Sequence, residues 1–269
     1  MENFENELSK DLAKATADSA QNVVEDIVRP TSKSIGENLG LMVDGVMGWL
    51  GYWGKKQQVK REIYLNEYKK KIAQEVSEVP TEKLIEPSLR IVGPAIEASK
   101  YFIEETECRD MFAKLIGSSC NNDKANRVHP LFPEIIKQLS PLDAKFISIF
   151  CRENTYPAVE IMSYNEDGTV TPCKYVLIDF TQSGIIFTPE EQRACTKALD
   201  LLTRFGILKK NDSVLELGYD YNSFEKNWLY VAFNKGLGSS EIKMHKYRLE
   251  LTLLGQDFIE CCVEGNGCP

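Results

Sequence analysis

Apolar positions recur with a helical period through the first 150 residues of this chain, and the period turns mixed after that. From Glu2 to Arg29, Phe4, Leu8, Leu12 and Ala15, continued by Val23, Val24 and Ile27, trace the apolar side of a helix, which Pro30-Thr31-Ser32 breaks. Leu65, Tyr68, Ile72, Val76 and Val79 follow a heptad-like stripe and predict a long helix from Val59 to Val79, ended by Pro80. A stripe this short packs on a neighbouring helix of the same chain more often than on a second chain. Pro87 is placed to open the next helix, with Leu89, Val92, Ile96 and Ile103 on its apolar side. Gly93-Pro94 is expected to kink or divide it, because proline removes a backbone donor and clashes with the turn before it.

The clearest helix comes next. Glu104, Glu105 and Glu107 crowd its start, where the helix dipole favours negative charge. Cys108, Met111, Phe112, Leu115, Ile116 and Ser119 supply its buried stripe, and Gly117 with the polar run to Arg127 closes it. A short helix over Phe132–Leu139 leads to Ser140-Pro141-Leu142-Asp143, read as an N-cap, a proline in the first helical position and an acidic third residue. Leu142, Phe146, Ile149 and Phe150 are its buried face.

Downstream, Val159–Ser163 and Lys174–Phe180 predict strands joined by a turn at Asn165-Glu166-Asp167-Gly168. Thr188-Pro189-Glu190-Glu191 is a capping box. It starts a helix with Ala194, Ala198, Leu201, Leu202 and Phe205 inside and Gly206 as its C-cap. Lys209-Lys210-Asn211-Asp212 reads as a turn, Val214–Leu217 and Trp228–Phe233 as strands. Lys246–Leu251 alternates as a further strand before Thr252 caps a final helix carrying Phe258, Ile259 and Cys262. The succession of a helix ending in LLxxxGIL, strands, and YxLxLTxLGxxF resembles the winged-helix pattern. Ser140–Cys262 is accordingly expected to be a winged-helix-like domain with an enlarged hairpin.

Asn38 to Gly54 departs from every other segment: NLGLMVDGVMGWLGYWG holds one charge, Asp44, and glycines at 45, 48, 51 and 54. Steps of three fall about 60° short of a helical turn, so these glycines wander around a helix and form no seam. Trp49, Tyr52 and Trp53 are residue types that favour a membrane interface. Lys55 to Lys71 follows with seven basic and two acidic residues. An apolar, aromatic-tipped segment beside a basic run is the layout of an interfacial element. At seventeen residues it is shorter than the ~20 that span a bilayer. The competing expectation is a glycine-rich hairpin buried in the protein or in an oligomer. Membrane-contact candidates are Trp49, Tyr52, Trp53, Lys55 and Lys56.

Composition narrows the function classes. The 269 residues carry a net charge of −8, which argues against wholesale polyanion binding. Arg193, Lys197 and Arg204, with Lys209 and Lys210 just beyond, are the candidates for nucleic-acid or partner contact, but Glu190, Glu191 and Asp200 share their helix. Met1–Lys14 lacks the pattern of a secretory signal, and a cytoplasmic location, peripheral to the inner membrane if the aromatic segment inserts, is expected. Eight cysteines without a C-x-x-C pair read as reduced thiols. No G-x-S-x-G, H-E-x-x-H, Walker A or Rossmann glycine pattern occurs, so no catalytic, cofactor or metal residue is assigned. Of the two histidines, His129 before Pro130 suits a structural hydrogen bond at a helix start. Adjacent Cys261 and Cys262 suit packing.

Pro87, Gly93-Pro94, Glu97, Met111-Phe112-Ala113-Lys114-Leu115, His129-Pro130 and Leu139-Ser140-Pro141-Leu142-Asp143-Ala144 together resemble the Abi-alpha family of bacterial abortive-infection proteins. The resemblance implies a role in phage defence and transfers no catalytic residue. The expected architecture is mainly α with an α+β C-terminal part: an N-terminal helical arm over 1–80, an Abi-alpha helical core over 81–139 and the winged-helix-like domain over 140–269. Expected partners are an unidentified phage or host trigger, a membrane surface and a second copy of the chain, with nucleic acid less favoured. No enzyme activity is expected.

Overall fold

Cys108, Met111, Phe112, Leu115 and Ile116 are all buried, and the helix that carries them organises one half of the molecule. The computed structural model describes residues 30–47, 55–164, 170–181, 183–236 and 241–263. The helix expected over Glu2–Arg29, the residues Trp49, Tyr52 and Trp53, and the turn at 165–168 lie outside them. The chain divides into two units, the first Met1–Pro141 with Glu260–Gly265, the second Leu142–Ile259 with Asn266–Pro269.

Unit 1 is helical. Its described elements are α1 (Pro30–Met47), α2 (Lys55–Ser77), α3 (Leu89–Ser99), α4 (Thr106–Ser119) and α5 (Phe132–Gln138). Tyr68, Ile72 and Val76 of the predicted α2 stripe are buried, on neighbours within the unit. α2, α3 and α5 all pack on α4. Gly117, read from the sequence as a helix stop, lies inside α4, and its role is steric. A Cβ there would fall 2.5 Å from the Cβ of Glu75 on α2, closer than atoms can approach.

Polar groups fix the α2–α4 register. Arg109 donates to Glu67 at 2.8 Å, and Lys114 pairs with Glu75 at 3.0 Å. Glu67 to Glu75 is eight residues on α2, as Arg109 to Gly117 is on α4, so the helices run parallel over about 12 Å.

α3 runs through Gly93-Pro94 undivided. Pro94 is exposed and so is Arg90, whose carbonyl loses its helical partner, while Val92, Ala95 and Ile96 are buried and hold the helix in place. His129 does what was expected of it: its Nδ1 accepts the Leu131 N–H at 3.1 Å at the start of α5. The last described turn, Ile259–Val263, is π-helical; Cys261 and Cys262 are buried, and Lys124 donates to the Glu260 carbonyl at 3.3 Å.

Unit 2 is α+β. After α6 (Pro141–Ile147) come β1 (Thr155–Tyr164), β2 (Val170–Ile178), α7 (Pro189–Arg204), β3 (Leu208–Asn211), α8 (Trp228–Gly236), β4 (Glu241–Leu251) and α9 (Leu253–Phe258). The strands form one antiparallel sheet in the order β2-β1-β4-β3, with Thr155 opposite Glu250 and a register shift between Glu160 and Met162. Val159, Ile161 and Leu177 pack against Tyr221, Phe224 and Leu229.

The Thr188–Glu191 capping box forms as predicted, and Gly206 ends the helix with φ +70°. The buried stripe of α7 is Cys195, Ala198, Leu199 and Leu202, rotated from the expected one. Three predicted boundaries fail. Trp228–Phe233 is helix, Val214–Leu217 is not strand, and Lys209–Asn211 belongs to an edge strand paired with β4. The result is a helical region followed by a mixed unit with a small open sheet.

Candidate functional site

α1 and α2 pack antiparallel. Asp44 pairs with Lys69, and an apolar groove of about 410 Å³ runs between the helices past Leu39, Val43, Ile72 and Val76. Leu41 on α1 is 70 % exposed, and a Cβ on Gly36, Gly40 or Gly45 would meet nothing within 4 Å. These glycines therefore do not serve a close contact among the described residues. From Lys69 back to Lys55, α2 continues for about 21 Å past the ion pair, a stretch that carries Lys55, Lys56, Lys60 and Arg61 of the basic run. Lys55 and Lys56 open α2; their side chains, like Trp49, Tyr52 and Trp53, lie outside what is described. Among the described residues no helix is long and apolar enough to cross a membrane.

The second set of candidates falls on α7 and β3. Arg193, Lys197 and Arg204 are exposed and, at 100° per residue, fall within about 40° of one another on the helix. Glu190 and Asp200 are exposed on the same side, so the stripe is of mixed sign. Arg193 also stands over the Trp228 ring at 5.8 Å.

Lys209 and Lys210 are not brought to this stripe as open cations. Lys209 pairs with Glu250 at 2.7 Å, and Lys210 lies 3.6 Å from Glu160 and 5.4 Å from the Tyr247 ring centre. Glu250 is the anchor: Asn211 donates to it at 2.9 Å and Arg248 Nε at 2.8 Å. Burial alone would raise its pKa, but the hydrogen bonds from Lys209, Arg248 and Asn211 outweigh that and hold it at about 2.

Nucleophile chemistry finds little support. Cys108, Cys120, Cys195, Cys261 and Cys262 are free and buried. Burial pushes the Cys120 and Cys195 thiols up to about 12, far from a reactive thiolate. Cys151 departs from the expectation of reduced thiols: it is disulfide-bonded. Among the described residues no group of three His, Cys, Asp or Glu could hold a metal ion.

The chain is thus one helical unit and one mixed α+β unit. Residues 60–262 match the family profile described as Abortive infection alpha, and the chain belongs to that family. No curated protein and no solved structure matches it. Family membership supports a non-enzymatic role in phage defence.

Glu250 gives a pH test. Its folded pKa lies below the ordinary 4.5, so its contribution to stability is present above pH 4.5 and is lost as pH falls toward about 2. Urea unfolding across this range should show Glu250→Gln less stable than the parent at neutral pH, with the gap closing between pH 4.5 and about 2.

Proposed function

We propose that this phage-defence protein acts at the inner membrane surface through the α1–α2 hairpin, as an interfacial element that does not span the bilayer. The observation that carries this reading is the geometry of the hairpin: the basic half of α2 continues about 21 Å beyond the Asp44–Lys69 pair, and Gly48–Gly54, with its aromatic residues, joins the helices at that end. Lysines beside an apolar, aromatic segment suit anionic headgroups, each contributing ~1 kcal/mol near the surface. The exposed Leu41 and the open groove beside it add apolar surface on the same hairpin. An infection signal would expose the segment and let it perturb the inner membrane.

A second reading, nucleic-acid binding by a winged-helix-like unit 2, draws on the alignment of Arg193, Lys197 and Arg204 on one exposed side of α7. The ion pairs of Lys209 and Lys210 weaken it.

The membrane reading predicts that purified protein binds vesicles containing phosphatidylglycerol and releases their dye, but leaves phosphatidylcholine vesicles intact. Lys55→Glu/Lys56→Glu should weaken binding by about tenfold or more. Trp49→Ala/Trp53→Ala should abolish leakage, and also plaque protection at equal abundance. Protein that neither binds nor leaks anionic vesicles, with or without a phage-derived trigger, contradicts it. The nucleic-acid reading predicts a gel shift whose log affinity falls with log salt at a slope of about −3, one phosphate for each α7 cation. It also predicts loss of the shift in Arg193→Glu or Lys197→Glu; no shift at low salt rejects it.

A further inference from the structure

The groove between α1 and α2 stands open among the described residues. Gly36, Gly40 and Val43 of α1 line it with Ile72, Ala73 and Val76 of α2. A Cβ on Gly36 or Gly40 would meet nothing within 4 Å, so neither glycine is needed to admit α2. The charged lining is Glu37, Asp44 and Lys69, and the last two pair with each other. An apolar trough along one side of α1 is left without a partner among the described residues.

The chain itself brings an occupant to this place. α1 begins at Pro30, and the residues that run into it, Glu2–Arg29, are the amphipathic stretch read from the sequence. Within that stretch Ala13, Ala17, Ala20, Val24 and Ile27 recur at intervals of four, three, four and three, a heptad stripe without a charge. Gly36, Gly40, Val43 and Met47 repeat the intervals four, three and four on α1. The two stripes mirror each other about Pro30. Counting outward from the proline, Val24 falls opposite Gly36, Ala20 opposite Gly40 and Ala17 opposite Val43. The residue before a proline is biased away from the helical conformation, which favours a reversal of the chain at this point.

Charge and tethering select the same occupant. Glu2–Arg29 carries seven acidic and three basic residues, whereas Lys55–Lys71 of α2, the helix that forms the other wall, carries seven basic and two acidic. Taken as whole segments, the two attract. A segment joined directly to α1 also competes at an effective concentration of about millimolar, which a second copy free in solution does not reach.

We infer that Glu2–Arg29 folds back on α1 and fills this groove, with Val24, Ala20 and Ala17 over Gly36, Gly40 and Val43. Small residues on both sides let the two backbones approach closely, and this is the use of the two glycines. In the resting protein the segment covers apolar surface that the membrane reading employs. The docking does not depend on that reading, and its test contains no lipid, so either can fail alone.

Disulfide trapping in the full chain tests the inference. Ala20→Cys/Gly40→Cys should link on mild oxidation, because the two Cα atoms come within reach of a disulfide. Trypsin cuts at Lys33, between the two positions, and should release two peptides joined through them. Asn22→Cys/Gly40→Cys, displaced about 200° around a helix, should link about tenfold more slowly or not at all. The linked protein should run as a monomer on a non-reducing gel. A second measurement needs no added cysteine. Ala20→Asp, which puts a charge on the packed stripe, should speed hydrogen exchange of the Gly36–Val43 amides about tenfold and leave α4 unchanged. No link from position 20, equal linking from position 22, a link between two molecules, or unchanged exchange in Ala20→Asp overturns the inference.

Discussion

Unit 1 depends on one close approach. At Gly117 the backbone of α4 comes so near α2 that a methyl group would overlap the Cβ of Glu75. With the helices this close, the Glu75 carboxylate is buried, and Lys114 and Lys71 neutralise it at 3.0 and 3.6 Å. Removing those lysines would strand a buried charge, a loss of about 3–5 kcal/mol for pairs of this kind. α1 rests on α2, and α3 and α5 rest on α4, so a shift at Gly117 would propagate through every described helix of the unit.

This packing explains why the best-patterned stretch of the chain is chemically quiet. The side chains of α4 are committed to neighbours: Cys108 to the Leu139 carbonyl at 3.7 Å, Arg109 to Glu67, Lys114 to Glu75. Surface that is not so committed lies elsewhere in the unit, around the exposed Leu41 of the α1–α2 hairpin. In unit 2 a comparable constraint operates at Gly255, where a Cβ would fall 2.1 Å from the Ile207 carbonyl oxygen. Thr252 locks the same corner: its N–H donates to that oxygen at 3.0 Å, and its hydroxyl accepts the Gly255 N–H at 2.9 Å.

The strongest local signals were legible. The α4 stripe, the Thr188–Glu191 capping box and the Thr252 cap depend on residues within one or two turns, and each formed as read. Errors arose where distant partners decide, or where an asparagine side chain redirects the backbone beside it. Gly117 has the look of a helix stop until Glu75, forty-two residues away, is placed beside it. Trp-Leu-Tyr-Val-Ala-Phe has strand composition, yet Asn227 accepts the Leu229 N–H at 2.9 Å and starts a helix there. That asparagine was the available signal. Lys209 and Lys210 look like turn residues because an edge strand carries charge where a central one cannot; their pairing with β4 comes from residues about forty positions on. Val214 follows Asn211, whose side chain accepts the Ser213 and Val214 N–H groups and bends the chain.

Amide hydrogen exchange across α4, compared between the parent and Gly117→Ala, tests the central constraint most directly, because two effects predict opposite signs. Helix propensity alone would stabilise α4 by up to ~1 kcal/mol on replacing glycine with alanine. If α2 and α4 meet at this point, overpacking costs about 1–3 kcal/mol and α4 amides exchange about tenfold faster or more in the variant. Slower or unchanged exchange in Gly117→Ala would show that the helices do not meet there and would contradict the packing described for unit 1.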